Sequence, residues 1–158
     1  LGDGAQVAQS AIGQRDVTMS ALQAAIMAGT IANQGKRMEP YLINRITDAQ
    51  MNELRTTQPR QAAEAVSEET ANTIKDLMFA SEHSTYGYDG NGFASKTGTA
   101  EHGEGLAPHA WYVAFDPDKD IAVGVVVKDG GHLGQNAYGG QVSAPIGRAI
   151  LRAYGGEQ

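Results

Sequence analysis

The chain has 158 residues, of which 41% are hydrophobic and 19% are charged, a size and composition typical of one globular domain rather than of a disordered segment. Its 12 Lys and Arg residues against 18 Asp and Glu residues give a net charge of −6, so it lacks the basic footprint of a nucleic-acid-binding protein. The chain contains no cysteine, which excludes disulfides and thiolate metal sites, and no apolar run approaches the roughly 20 residues of a transmembrane helix.

The beginning of the chain is predicted to be a lead of turns. Residues 1–4 are rich in glycine, and Arg15-Asp16 indicates a polar bend. Because the chain begins with Leu1 and not with Met, we expect it to be a piece of a longer protein, called the parent protein below.

A buried helix is predicted next. Ser20 followed three residues later by Gln23 is a capping-box pattern, and residues 21–33 contain no proline and mostly small or apolar side chains. Gly35 is placed to end the helix. Since the helix is apolar almost all round, we expect it to be buried on most sides.

The middle of the chain is predicted to contain a short strand, an exposed excursion and a second helix. Residues 38–46 indicate the strand, and residues 47–65, which are polar and weakly periodic, indicate the excursion. Ser67 is a suitable N-cap for a helix that runs to about residue 81. The expected buried stripe of this helix consists of Ile74, Leu77, Met78 and Phe79.

Three successive strands are predicted to form an antiparallel meander. They comprise residues 92–99, 109–115 and 121–128, and the turn between the last two has hairpin length. One face of the alternating middle strand consists of Trp111, Val113 and Phe115. The third strand is apolar on both faces, so we expect it to be interior and covered on both sides.

A glycine-rich loop and an amphipathic helix close the chain. The loop comprises residues 129–140, and the helix runs from about Ser143 to Tyr154, with Pro145 in its first turn and Gly155-Gly156 as its stop. Its expected buried stripe consists of Ile146, Ala149, Ile150 and Ala153. These elements predict an α+β fold in which an antiparallel sheet, the three-strand meander, packs against helices.

The stretch Lys96-Thr97-Gly98-Thr99 has the chemistry of a strand edge that binds an anion. Lys96 supplies a positive charge, and Thr97 and Thr99 supply hydroxyl donors. Gly98 has no side chain, so the backbone of a ligand can approach the strand there. An extended ligand would then pair with the edge through main-chain hydrogen bonds. The alternative is an ordinary solvent-facing lysine, because so short a motif is a weak signal by itself.

The order of features along the chain favours the binding edge. The segments that carry a resemblance are Ala11-Ile12-Gly13-Gln14, Ser20-Ala21-Leu22-Gln23-Ala24-Ala25, Ile31-Ala32-Asn33-Gln34-Gly35, Lys96-Thr97-Gly98-Thr99-Ala100-Glu101, His109-Ala110-Trp111-Tyr112-Val113-Ala114-Phe115 and Ala144-Pro145-Ile146-Gly147-Arg148. Together the chain resembles the C-terminal half of the transpeptidase domain of a class B penicillin-binding protein, with Gln34 departing from the pattern. The resemblance implies that residues 1–158 are a single, partial domain of the penicillin-binding transpeptidase and serine β-lactamase-like fold.

The resemblance also implies an activity for the parent protein. It implies a membrane-anchored D,D-transpeptidase, at the extracytoplasmic face of the cell membrane, that cross-links peptidoglycan stem peptides through an acyl-serine intermediate and is acylated by β-lactams. Lys96, Thr97 and Thr99 would hold the carboxylate of the substrate or the β-lactam, and Gly98 would keep the strand edge clear. The backbone N–H of Thr99 would be one of two oxyanion donors, which makes Thr99 the catalytic residue of this chain. No cofactor or metal is implied.

The nucleophile of that family is missing from this sequence. No Ser is followed by Lys three positions later or by Asn two positions later; in the family both motifs lie upstream of the segments seen here. We therefore expect the isolated chain to be soluble and catalytically inactive. An alternative is a non-catalytic module of the same fold that binds peptidoglycan or a partner through the Lys96 strand. A serine β-lactamase shares the Lys-Thr-Gly strand but fits the other segments less well.

The sequence carries weaker signals for other sites and for an assembly. The loop 101–104 with His109, and with His83 or His132, matches no metal-ligand spacing, which favours a solvated loop. The glycines of residues 130–134 lack the phosphate-binding patterns. Because the isolated chain would expose apolar faces, we expect it to form a homodimer or to exchange strands.

Overall fold

A computed structural model describes residues 3–14 and 17–154 of the chain. Its elements are α1 (Gly4–Ala11), α2 (Ala21–Ala32), β1 (Lys36–Met38), β2 (Arg45–Thr47), β3 (Glu53–Thr56), β4 (Gln61–Glu64), α3 (Glu68–His83), β5 (Ala94–Ala100), β6 (His109–Asp116), β7 (Ile121–Val127), a 3-10 segment (Lys128–Asn136), α4 (Gly139–Val142) and α5 (Ala144–Ala153). The predicted bend at Arg15-Asp16 and the predicted helix stop at Gly155-Gly156 lie outside the described residues, as do the first two residues of the predicted lead.

The predicted meander is confirmed. Strands β5, β6 and β7 form a three-stranded antiparallel sheet in that order, with Lys96 opposite Val113 and Val113 opposite Gly124. Helices α2 and α3 pack on one face of the sheet and α5 packs on the other, so the α+β class is confirmed. Strand β7 is covered on both faces, by α2 and by α5, as predicted, and among the described residues no strand pairs with its outer edge.

Two hydrophobic clusters lie on opposite faces of the sheet. One contains Tyr112, Val123 and Leu151 and lies beneath α5, and the other contains Ala28, Met78 and Phe115 and lies beneath α2 and α3. Successive residues of a strand point to opposite faces, so the alternation predicted for the middle strand is what divides β6 between the two clusters.

Helix α2 lies directly on β7 because residue 124 is glycine. A Cβ built on Gly124 would come within 2.4 Å of the carbonyl oxygen of Ala21 and within 2.7 Å of the amide nitrogen of Ala25. Both atoms belong to the backbone of α2, so no side-chain rotation can relieve the contact. Gly29, on the same helix, is different, since a Cβ there would lie 3.6 Å from the Cβ of Ala122, which is ordinary van der Waals contact.

We predict opposite effects for alanine at these two glycines. Gly124→Ala should lower the free energy of unfolding by about 1–3 kcal/mol, because α2 must move off the sheet. Gly29→Ala should leave it unchanged or raise it by up to about 1 kcal/mol, because alanine favours the helix interior. Chemical denaturation of both variants checks this, and equal destabilisation would contradict the close packing of α2 on β7.

The predicted buried stripe of the last helix was wrong. Helix α5 buries Ala144, Gly147, Arg148 and Leu151, whereas Ile146 and Ile150 of the predicted stripe are 46% and 44% exposed. The reason is a close approach and an ion pair. A Cβ on Gly147 would lie 2.4 Å from the Tyr112 ring, and Arg148 turns inward to the buried carboxylate of Glu82.

Several other elements differ from expectation. Residues 4–11 form α1, capped by Asp3, a helix that was not predicted after the turns of residues 1–4. Residues 38–46 are not one strand, and the excursion contributes β3 and β4, which pair with β2 and β1 in two exposed two-stranded sheets. In the second predicted helix Met78 is buried, but Leu77 is 65% exposed.

Apolar surface remains exposed on α2. Its capping box at Ser20 and Gln23 is present as predicted, but Leu22 is 59% and Met27 is 52% exposed, so the expected burial on most sides was wrong. Homodimerisation or strand exchange through such surface stays a prediction. None of the helices in residues 3–14 and 17–154 is long and apolar enough to cross a membrane.

Candidate functional site

The four predicted site residues lie together on an open strand edge. Strand β5 pairs with β6 on one side, and among the described residues no strand pairs with its other side. Lys96 and Thr99 are exposed, and Thr97 and Gly98 are half-buried. The sheet therefore presents these residues to solvent along an edge whose backbone groups are available for pairing.

Two side-chain contacts show which backbone groups face this edge. The carbonyl oxygen of Thr97 accepts a hydrogen bond from Lys96 Nζ at 2.6 Å, and the carbonyl oxygen of Thr99 accepts one from Gln14 Nε2 at 3.2 Å. In an antiparallel strand, a residue directs its N–H and C=O to the same side, and alternate residues share that side. Thr97 and Thr99 therefore present both N–H and C=O to the open edge.

Lys96 reaches the edge although strand alternation directs it away from the two threonines. Its register with Val113 places it on the face beneath α2 and α3, whereas Thr97 is opposite Tyr112 on the other face. The long side chain turns back to the Thr97 carbonyl, which puts the ammonium group at the strand edge. The same side chain lines a largely apolar groove of about 1160 Å³ that continues to Met27 and Leu77.

Packing within the chain does not require glycine at position 98. Its φ is not among the positive values, and a Cβ there would lie 3.4 Å from the Cβ of Trp111, at the near limit of ordinary contact. Neither backbone conformation nor packing among the described residues therefore requires glycine at this position.

A buried carboxylate anchors β5 one residue before Lys96. Glu82, at 0% exposure, accepts hydrogen bonds from Ser95 Oγ, from the Tyr112 hydroxyl at 3.0 Å and from Arg148 Nε at 2.7 Å. Burial, and secondly the Glu82 charge, raise the pKa of Tyr112 above its ordinary value, so the phenol stays protonated and donates. The carboxylate thus joins β5, β6 and α5 at the end of α3.

Arg148 extends this network to the loop that precedes β5. Its Nη1 donates to the carbonyl oxygens of Tyr86 at 2.9 Å and Gly87 at 2.8 Å, and Asn91 Nδ2 donates to Glu82 at 2.9 Å. Strand β5 is therefore fixed along its buried length while its outer edge stays open.

The structure adds two residues that the sequence did not single out. Gln14 donates a hydrogen bond to the Thr99 carbonyl oxygen, although the two residues are 85 positions apart in the sequence. Gln14 belongs to one of the segments that carry the family resemblance, but its spacing in the sequence does not indicate this contact. Asp129 lies beside His102 and His109, with carboxylate-to-imidazole distances of 3.2 and 3.6 Å. His83 lies instead against Tyr88, with ring centroids 4.6 Å apart and planes tilted by 35°.

Comparison with known proteins identifies relatives along almost the whole chain. The family model for the penicillin binding protein transpeptidase domain matches residues 4–152. Over 96% of its length, the chain is 46% identical to the peptidoglycan D,D-transpeptidase PbpA of Mycolicibacterium smegmatis and 40% identical to that of Mycobacterium tuberculosis. The chain spans 32% of each of these relatives, about a third of their length.

A solved structure shares the fold. The chain superimposes with a TM-score of 0.89 and 40% identity on penicillin-binding protein A from M. tuberculosis, solved as a ceftriaxone acyl-enzyme complex, covering 96% of this chain and 36% of that one. The architecture described above is therefore shared with a protein that has been solved in covalent complex with a β-lactam.

Proposed function

The chain belongs to the penicillin-binding protein transpeptidase family, and from that premise we propose that its parent protein is a peptidoglycan D,D-transpeptidase to which this chain contributes the strand that binds the substrate. In this proposal the chain is the C-terminal part of the transpeptidase domain, and the parent acts at the extracytoplasmic face of the cell membrane. The observation that carries the proposal is the open edge of β5, with Lys96 and the backbone groups of Thr97 and Thr99 directed to it.

The proposed binding mode follows from this edge. The carboxylate of the stem peptide or of a β-lactam is held by the Lys96 ammonium and the hydroxyls of Thr97 and Thr99 through charge-assisted hydrogen bonds. The peptide backbone of the ligand lies along β5 as an added strand, and passes close to Gly98. An amide N–H of the ligand then donates a hydrogen bond to the Thr99 carbonyl oxygen, which in this structure accepts one from the Gln14 side-chain amide.

The proposed chemistry divides between this chain and the rest of the parent. A serine oxygen supplied by the parent attacks the scissile carbonyl, and the negative charge that develops on the carbonyl oxygen is stabilised by the Thr99 N–H. The bond to the leaving amine then breaks, the amine departs with the proton that the serine hydroxyl gave up, and an acyl-serine remains. The amine of a second stem peptide attacks the acyl-serine and takes the acyl group, and the serine oxygen regains a proton from that amine. In this division Lys96, Thr97 and Gly98 bind and orient, and Thr99 also contributes to the transition state.

Acylation by penicillin G tests the proposal. The parent protein should gain the mass of one penicillin G molecule, and the isolated 158-residue chain should gain none, because it contains no S-x-x-K serine. In the parent, Lys96→Ala should slow acylation about 10- to 100-fold, as expected for the loss of a hydrogen bond to a charged group worth about 1.5–3 kcal/mol. Time-resolved intact mass spectrometry measures adduct formation in the parent protein, in the isolated chain and in the Lys96→Ala variant.

Lys36→Ala is the matched control for the Lys96 variant. It removes the same charge from an exposed lysine on β1, outside the β5 edge, and should acylate like the wild type. A parent that binds penicillin G without forming an adduct would favour the non-catalytic binding module. Equal acylation of the Lys96→Ala and wild-type proteins would show that this strand is not part of the binding site.

A further inference from the structure

The end of the β5–β6 hairpin gathers two imidazoles and a carboxylate from three parts of the chain. His102 belongs to the loop after β5, His109 begins β6, and Asp129 lies in the 3-10 segment after β7. One ligand atom from each lies within 4.8 Å of the others. The sequence favours a solvated loop because the spacing of its histidines matches no metal-ligand pattern. Asp129, the third potential ligand, is distant along the chain and becomes apparent only in the structure.

The separations suit a small divalent cation. His102 Nε2 lies 3.2 Å and His109 Nδ1 lies 3.6 Å from Asp129 Oδ1. Zinc bonds to imidazole nitrogen and carboxylate oxygen are about 2.0–2.2 Å long, and in tetrahedral geometry this places neighbouring ligand atoms about 3.3–3.5 Å apart. Two imidazoles with one carboxylate are also a donor set that zinc accepts while keeping its fourth position for water.

The hydrogen bonding identifies one ligand nitrogen. His109 Nδ1 accepts the backbone N–H of Asp129 at 3.1 Å, so this nitrogen carries a lone pair. The imidazoles of His102 and His109 stack with centroids 3.9 Å apart and planes 22° from parallel. A cation that binds His109 Nδ1 replaces this hydrogen bond and leaves the Asp129 N–H, on an exposed residue, to solvent. It also requires the two rings to separate, and the exposed position of His102 and Asp129 leaves room for that movement.

The two loops that supply these residues are already tied together. Gly130 donates its N–H to the carbonyl oxygen of Pro108 at 2.8 Å, and Gln135 Nε2 donates to the carbonyl oxygen of Gly105 at 2.7 Å. These bonds limit how far the loop 101–108 can move from the 3-10 segment. The ligands are therefore held near one another before any cation binds, which reduces the entropic cost of assembling the site.

We propose that His102, His109 and Asp129 form a binding site for a transition-metal dication of the zinc class. The site joins the loop 101–108 to β6 and to the 3-10 segment. His109 is opposite Ala100 in the β5–β6 register, next to Thr99, so a bound cation stabilises the end of the strand edge described above. The proposal does not depend on the function proposed for that edge.

Metal binding by the parent protein tests the site. Protein stripped with a chelator and desalted is titrated with Zn²⁺ by calorimetry and with Co²⁺ by visible absorption, which reports tetrahedral coordination directly. The expected result is one saturable site, and a melting temperature that rises with Zn²⁺ concentration because the ion binds the folded state. Asp129→Asn and His102→Gln should each weaken Zn²⁺ binding about tenfold or more, with little change in the melting temperature of the metal-free protein.

His132→Ala serves as the control. It removes an exposed histidine of the same 3-10 segment that is not a member of the cluster, and should bind Zn²⁺ like the wild type. If the wild type shows no saturable Zn²⁺ or Co²⁺ binding, the three residues form a hydrogen-bonded cluster without a metal and the proposal is overturned. Binding that survives unchanged in both ligand variants would also overturn it.

Discussion

Glu82→Ala is expected to lower the free energy of unfolding by about 3–5 kcal/mol, because removing one partner of a buried ion pair leaves the other charge uncompensated. The substitution removes a carboxylate at 0% exposure and leaves Arg148, at 3% exposure, as a buried charge without its partner. It also deprives Ser95 and Tyr112 of the acceptor for their hydroxyls, and unsatisfied buried polar groups add to the cost. Urea denaturation followed by circular dichroism measures the change.

Two comparisons separate the network from simple truncation. Asp76→Ala removes an exposed carboxylate from the same helix and should change the free energy of unfolding by no more than about 0.5 kcal/mol. Combining Glu82→Met with Arg148→Met removes both charges, and should cost less than the sum of the two single variants, because neither charge is left buried alone. If Glu82→Ala behaves like Asp76→Ala, the network does not hold the sheet to its helices.

Elements set by local signals were predictable from the sequence. The capping box at Ser20 and Gln23 and the N-cap at Ser67 each depend on contacts within three residues, and both helices begin where those signals place them. The alternation of β6 was equally readable, because side chains of a strand divide between two faces whatever lies above them. Helix α1 was missed because Asp3 stands among glycines, where a turn and a helix N-terminus have the same composition.

The face of α5 was not predictable from the same rules. Hydrophobic periodicity places apolar residues inward, but α5 buries Arg148 and exposes Ile150. The deciding partner is Glu82, 66 residues away in the sequence, and a periodicity rule contains no information about such a partner. A buried charge is recognisable only once its counter-charge is located in space.

The same distinction separates the parts of the candidate site. Lys96, Thr97, Gly98 and Thr99 are consecutive, so their chemistry could be read from the sequence before any fold was known. Gln14 reaches Thr99 across 85 residues, and its contact arises from how the chain after α1 passes the end of β5. What the sequence could not indicate is the direction of the Thr97 and Thr99 backbone groups, which depends on the pairing of β5 with β6.

That direction leads to a prediction about the oxyanion donor. In the parent protein, Thr99→Pro should lower the rate constant of acylation by penicillin G about 10²–10³-fold below that of Thr99→Ala, the usual cost of one lost donor. Proline removes the backbone N–H of residue 99. Because this N–H faces the open edge and not β6, its loss breaks no ladder hydrogen bond of the sheet, and proline is tolerated at such edge positions. Stopped-flow or quenched intact-mass measurements give the rate constant.

Thr99→Ala is the matched variant, because it removes the hydroxyl but keeps the backbone N–H. Its acylation should fall about 10- to 100-fold relative to the wild type, since the hydrogen bond of the hydroxyl to the charged carboxylate of the ligand contributes about 1.5–3 kcal/mol. Both variants should unfold at similar denaturant concentrations if the N–H of residue 99 is free of the ladder. A large difference in stability would instead mean that proline distorts β5. Similar acylation by two equally stable variants would show that Thr99 contributes its side chain and not its N–H, and the assignment of Thr99 as an oxyanion donor would then be wrong.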